Sequence, residues 1–271
     1  SSLPYSPLGG SICKCIVALM KFTDSQILPP GLERSLRFYV TNPSPCPYLP
    51  GKKERKAFTN LAIGEADLVH NSLSQAGFRR SQTIAYRPAC PRCNACRSVR
   101  VPTRDFELSR NDRRTLNRNA SLIRRPVEAQ PSREQYRLLK SYVKTRHDGA
   151  GMSDMSYRDY SAMVGGSPVQ SLIFEYRDGV EEDAPLVAAS ITDVLRDGFS
   201  MVYTFFDPEL TSRGLGHYLI LDHILHAQDL GLPHVYLGYW VKGSQKMDYK
   251  RRYKPLEVLD GDVWRPLGDD E

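Results

Sequence analysis

The stretch SMVYTFFDPELTSRGLGHYLILDHILHAQDLGLPHVYLGYW (residues 200–240) decides the fold. Its first seven residues are rich in aromatic and β-branched side chains and read as a strand. Thr211-Ser212-Arg213-Gly214-Leu215-Gly216 then forms a Gly-rich turn. After it, Leu215, Leu219, Asp222, His223 and Leu225 recur at helical spacing, and Gly231 stops the helix. A Leu-Pro turn leads into HVYLGYW (residues 234–240), a second apolar strand. Such a turn sets backbone N–H groups at the positive end of a helix, where they can hold an anion, and glycine lets a phosphate approach the main chain. A tight turn that binds nothing is the other reading of the same residues.

Working outward, residues 169–176, 186–195 and 200–206 are three apolar strands separated by turn residues such as Asp178-Gly179 and Asp197-Gly198, which predicts an antiparallel meander. An extended segment at 122–128 and helices at 133–146 and 157–164 precede them. Further back lie a strand at 36–40, an irregular stretch with Pro at 43, 45, 47 and 50, and a helix at 66–76 stopped by Gly77. Strands at 83–87 and 98–102 follow, then a basic helix at 109–119 with Ser109 as N-cap. The class is α+β. Residues 1–35 are expected to be a partly disordered lead, 36–120 a smaller mixed α/β domain carrying cysteines, and 121–271 a second domain with an acidic C-terminal end. Met20 opens MKFTDSQ, and translation is expected to start there.

Hydrophobic residues at 41% and charged residues at 25% match an ordinary globular chain, and no apolar run approaches the roughly 18 residues of a membrane span. The apolar run at 12–20 is interrupted by Lys14 and lacks a cleavage pattern, so a cytoplasmic location is expected. The net charge of +6 conceals an asymmetry: Glu257, Asp260, Asp262, Asp269, Asp270 and Glu271 near the end face only Arg265. The body is therefore more basic than the total, which favours a polyanion such as RNA, or serves solubility alone. Two clusters concentrate the charge. Arg110, Arg113, Arg114, Arg118, Arg124 and Arg125 form the first. Lys242, Lys246, Lys250, Arg251, Arg252 and Lys254, interleaved with Tyr249 and Tyr253, form the second. Basic residues among aromatics suit phosphate contacts and stacking on unpaired bases, or a solvated face.

Cys90, Cys93 and Cys96 form C-x2-C-x2-C, with Cys46 as a distant fourth. In a reducing compartment this spacing suits zinc or an iron–sulfur cluster better than disulfides; thiols packed as small hydrophobes are the alternative. Cys13 and Cys15 lie in the lead. Arg79, Arg80 and Arg146 are candidates for gripping a carboxylate, since a guanidinium binds one bidentately. His147 is a candidate proton carrier or a cap cation.

Several strings resemble the aminoacyl-tRNA protein transferase family, in particular its short bacterial branch, the aspartate/glutamate leucyltransferases. They are CPYLPGKKERKAFTNL (46–61), GFRRSQTIAYRPACPRCNACRSVRV (77–101), SRNDRRTLNRN (109–119), RHDGAGMSDMSYRDY (146–160), DGFSMVYTFFDPEL (197–210) and LGLPHVYLGYWVKGSQKMDYKRRYKPLEVL (230–259). The resemblance implies a GNAT-like acyltransferase domain behind the smaller cysteine-containing one. It implies leucyl-tRNA as donor, proteins with N-terminal Asp or Glu as acceptors, marking for N-degron degradation, no required cofactor and no membrane. Where longer arginyltransferases carry a C-x-x-C, this chain reads Cys46-Pro47-Tyr48-Leu49, which favours leucine as the donor group. For such aminolysis His147, Tyr203 and Asp207 are the candidates for proton handling, and Arg79, Arg80 and Arg146 for reading the acceptor carboxylate. Arg113, Arg114, Arg118, Gly214, Gly216, Lys246, Lys250, Arg251 and Arg252 would hold the tRNA, with Phe205, Tyr239 and Trp240 cupping the leucyl side chain. Rival readings are an arginyl-tRNA donor, an acetyl-CoA-dependent N-acetyltransferase and a non-catalytic RNA-binding protein. Thr211 stands where acetyltransferases of this fold place Arg or Gln, which argues against the second rival.

Overall fold

The computed structural model describes residues 36–146 and 154–269. The lead, with Met20, Cys13 and Cys15, and also His147 lie outside the described residues. Two compact units divide the chain. One takes the described residues up to Arg100 together with those from Leu237 on, and the other is Val101–Tyr236. These limits differ from the division at residue 120 expected from sequence, because strands from both ends of the chain meet in the first unit.

In that unit the N-terminal portion contains β1 (Tyr39–Val40), β2 (Ser44–Pro45), β3 (Lys53–Glu54), β4 (Lys56–Asn60), helix α1 (Ala66–Gln75), β5 (Arg79–Ser81), β6 (Ile84–Pro88) and β7 (Cys96–Pro102). Strands β1, β4, β6 and β5 form one sheet in that order, and β2 pairs with β3. α1 ends in a Schellman turn: the Gly77 N–H donates to Ser74 O and the Phe78 N–H to Leu73 O. Its apolar side, with Val69 and Leu73, is buried together with Phe38, Leu61 and Phe78.

The second unit opens with α2 (Arg110–Arg118), β8 (Leu122–Glu128), α3 (Arg133–Arg146) and α4 (Tyr157–Gly165). β9 (Ser171–Asp178), β10 (Leu186–Leu195) and β11 (Gly198–Phe206) form the antiparallel meander read from sequence. A short 3-10 segment (Pro208–Arg213) leads to α5 (Leu215–Asp229) and β12 (His234–Val241). The sheet runs β12-β11-β10-β9-β8, parallel only between β11 and β12. β10 is buried along nearly its whole length, so both of its faces are covered. α5 packs against β11, and α3 against β10 and β11. Strand, two helices, three strands, helix, strand is the element order of a GNAT-like acyltransferase. α2 and α4 each begin with a reciprocal capping box, Ser109 with Asp112 and Ser156 with Asp159.

The chain returns to the first unit with the end of β12, α6 (Gln245–Asp248), β13 (Glu257–Asp260) and β14 (Val263–Pro266). β13 pairs with β14 and with β7, placing Val258 opposite Val99 in the core. The acidic C-terminal end is thus largely a sheet hairpin, with Arg265 held by Asp260 at 2.7 Å.

Candidate functional site

In the second unit the Gly-rich turn is built from both sides. Asp207 follows β11 and caps the 3-10 segment, its Oδ1 accepting the Glu209 N–H at 2.9 Å. Gly214 is the N-cap of α5 with φ +65°, a conformation that penalises a Cβ, and no side chain caps the helix there. At that start the His217 and Tyr218 N–H groups both donate to the Gly214 carbonyl, at 3.0 and 3.1 Å. Arg213 pins the turn from behind, donating to Asp178 Oδ2 (2.7 Å), Asn119 Oδ1 (3.0 Å) and Ser121 Oγ (3.1 Å). The Ser121 hydroxyl and then Arg213 hold the Asp178 carboxyl below its usual range. Arg118 donates to Ser212 O at 2.8 Å and lies 4.0 Å from where a Gly214 Cβ would stand. A guanidinium, a glycine and a helix start thus converge. α2 carries Arg113 and Arg114, both exposed like Arg118, and is fastened to α5 by Asp112 and His217 at 2.8 Å.

Tyr203 is half-buried on β11 just after an irregularity in its pairing with β10, a place where strands re-aim side chains. Arg146 is the last residue of α3. Phe205, expected to wall a leucyl pocket, is 0% exposed and meets the Tyr160 ring edge-on at 6.3 Å, so it is core rather than wall.

Arg124 and Arg125, counted in the first basic cluster, are instead engaged within the protein. The Arg124 Nη1 reaches both Asp222 oxygens at 2.8 Å, and Tyr176 donates to Asp222 Oδ2 at 2.8 Å. Arg125 donates to the backbone carbonyls of Val180, Glu181 and Glu182. Beside this network His223 faces the Leu219 carbonyl through Nδ1 (2.7 Å) and Thr192 through Nε2 (2.9 Å). A carbonyl only accepts, so Nδ1 carries the proton and Nε2 takes the Thr192 hydroxyl. Burial pulls its pKa down to about 4, so it is neutral at neutral pH.

In the first unit Cys46, Cys90, Cys93 and Cys96 line one pocket with Tyr48, Tyr86, Tyr239, Lys52, Lys53, Arg55 and Lys56. All four thiols are free. Backbone N–H groups of Leu49 and Arg55 donate to Cys46 Sγ and Cys90 Sγ, each at 3.4 Å. Burial first, then the neighbouring thiols, pushes the Cys96 thiol up to about 12, which keeps it protonated. Among the described residues no three Cys, His, Asp or Glu side chains are arranged to hold a metal ion. The four thiols, with Cys46 distant in sequence from the rest, share this one pocket.

Arg79 lies half-buried on β5, its Cζ 2.6 Å from where a Gly238 Cβ would be, so a side chain at 238, already penalised by φ +79°, would push the guanidinium aside. Arg80 is 4% exposed and donates to Gln82 O at 3.0 Å, a structural bond. Lys250 corrects the reading of an exposed basic tail: it is 5% exposed and donates to Tyr239 O at 2.5 Å. Burial, with the Arg79 charge second, pulls its pKa down to about 7. Trp240 is 2% exposed, with Arg97 and Arg251 over its ring at 5.3 and 5.9 Å. Arg251 also donates to Asp269 O, whereas Lys246 and Arg252 are exposed.

Residues 44–114 match the model "Arginine-tRNA-protein transferase, N terminus" and residues 134–260 the corresponding C terminus. The chain is 81% identical over 252 residues, 93% of its length and 100% of the relative's, to the aspartate/glutamate leucyltransferase of Hyphomonas neptunium. It belongs to the aminoacyl-tRNA protein transferase family, in its aspartate/glutamate leucyltransferase branch. A member from Caulobacter vibrioides strain NA1000 is 51% identical, covering 85% of this chain and 84% of the relative. Among solved structures, L-PGS from Bacillus licheniformis is a distant likeness, at TM-score 0.43 and 14% identity over 64% of this chain and 58% of that one. Members of this transferase family are aminoacyltransferases that work on an aminoacyl-tRNA and a protein. No helix among the described residues is long and apolar enough to cross a membrane.

Proposed function

We propose that the chain transfers leucine from leucyl-tRNA to the N-terminal α-amine of proteins beginning with Asp or Glu, marking them for N-degron degradation in the cytoplasm. The identity of 81% to a relative of that name, over that relative's full length, carries the reading. In the reaction the neutral amine attacks the ester carbonyl. A C–N bond forms, the C–O bond to the ribose breaks, and the amine proton ends on the ribose oxygen. The ester is already activated, so neither an enzyme nucleophile nor a cofactor is needed. The start of α5 with Arg118, beside exposed Arg113 and Arg114, supports a seat for the phosphates of the tRNA acceptor end. Lys246, Arg251 and Arg252 would add contacts along the tRNA. Tyr203 and Asp207 at the end of β11, with His147, are proposed to move the proton, and Arg79 or Arg146 to place positive charge near the acceptor. The test offers radiolabelled leucyl-, arginyl- and phenylalanyl-tRNA with peptides beginning Asp, Glu, Arg or Lys. Leucine on Asp and Glu peptides alone is expected; arginine transfer would change the donor, and no transfer would end the reading.

A further inference from the structure

None of the chemistry above uses the pocket among the four thiols. Its volume is about 70 Å³, room for a group of a few heavy atoms. Its charged lining is Lys52, Lys53, Arg55 and Lys56 against Glu54 alone. Glu54 is held by Lys56 at 3.0 Å, and among the described residues no carboxylate pairs with Lys52, Lys53 or Arg55. A small pocket with surplus positive charge calls for an anion.

Arg55 narrows the choice. It sits between β3 and β4, where its main chain is fastened on both sides: the N–H donates to Cys90 Sγ and the carbonyl accepts the Ala89 N–H at 2.8 Å. Its side-chain Nε is buried and, among the described residues, has no hydrogen-bond partner. An unmade bond on a buried cationic donor is costly unless a ligand makes it. Nε and one Nη of a guanidinium form a side-on fork that matches the two oxygens of a carboxylate. Tyr48 and Tyr86 add phenols to the same lining, whereas the Tyr239 hydroxyl is already bonded to the Gly77 and Tyr86 carbonyls. A carboxylate with one or two methylenes suits the volume; a phosphodiester with its sugar does not.

We propose that this pocket, with Arg55 as its principal donor, takes the side-chain carboxylate of the acceptor's N-terminal Asp or Glu. The inference rests on the acidic-acceptor reading above. It assigns that recognition to a residue lying inside the KKERK run (52–56), which the choice of Arg79, Arg80 and Arg146 passed over.

The test uses the full chain with leucyl-tRNA and matched peptides beginning Asp or Asn. Arg55→Gln is expected to raise the KM for the Asp peptide about tenfold and to shrink the Asp-over-Asn ratio of kcat/KM equally. The KM for leucyl-tRNA should stay put, and Arg55→Lys should recover part of the loss. Calorimetric binding of the Asp peptide without tRNA should weaken in parallel. An unchanged peptide KM in Arg55→Gln, whether or not the tRNA KM rises, overturns the proposal. If Arg55→Gln fails to fold by circular dichroism, Tyr48→Phe decides: a peptide KM raised about threefold supports the pocket, and an unchanged one refutes it. A wild-type chain that ignores acidic acceptors altogether removes the acceptor reading itself, which is a different failure from an Arg55 variant that discriminates as well as the parent.

Discussion

Arg124 and Asp222 are 98 positions apart in sequence, yet one guanidinium nitrogen reaches both carboxylate oxygens. Breaking the pair leaves a partly buried acid beside Tyr176, so Arg124→Met is expected to cost about 2–3 kcal/mol in urea unfolding. Lys250 yields a prediction of a different kind. Its folded pKa of about 7 lies below the unfolded value, so between pH 7 and 10 the unfolded chain binds more protons and stability rises with pH. The slope should approach about 1.4 kcal/mol per pH unit, and Lys250→Met should abolish it in a series of melts. Neither behaviour was legible beforehand. A run of Lys and Arg reads as a solvated or RNA-facing surface until the fold shows which members turn inward, and Asp222 and the Tyr239 carbonyl are remote or invisible in a charge count. Gly214, by contrast, was legible, because a left-handed residue before a helical period leaves glycine as the natural choice.

Among the elements, helices announced themselves through their ends. Ser109 marks the start of α2 in the sequence, and its side chain does cap the helix, in a box with Asp112; Ser156 and Asp159 build a second box on α4. Ser109→Ala should cost about 1 kcal/mol in thermal or denaturant unfolding by undoing that box. Replacing both Arg113 and Arg114 by Gln should leave the melt unchanged. It should lower the slope of log affinity for leucyl-tRNA against log salt by about one to two, read by filter binding. The meander was equally plain, since three long strands with turn residues hold a clear pattern. β2, β3 and β5 span only two or three residues each, too few to show any period. β13 and β14 were obscured by their own charges, with Asp260 and Arg265 carried on strands.

For the whole molecule, sequence order misled where spatial order mattered. The expected boundary at residue 120 followed the chain, whereas the units form by joining residues before Arg100 to those after Leu237. No local pattern reports a pairing such as Val99 with Val258. Deleting residues 257–269 should therefore destabilise the N-terminal cysteine region far more than an ordinary tail truncation, seen as faster modification of Cys46, Cys90, Cys93 and Cys96 by a thiol reagent. The transferase assignment, in contrast, was readable from motifs, while the pocket that collects four cysteines and a basic loop was not. Its lining comes from three separate stretches of chain.

The split unit also bears on synthesis. The continuous unit, Val101–Tyr236, has all its strands once residue 236 has left the ribosome. The earlier-made one must wait, unfinished, for β13 and β14, which are made after it, with Val99 lacking its partner Val258 meanwhile. Premature release of the nascent chain would leave the first-made part as the portion a chaperone must shelter.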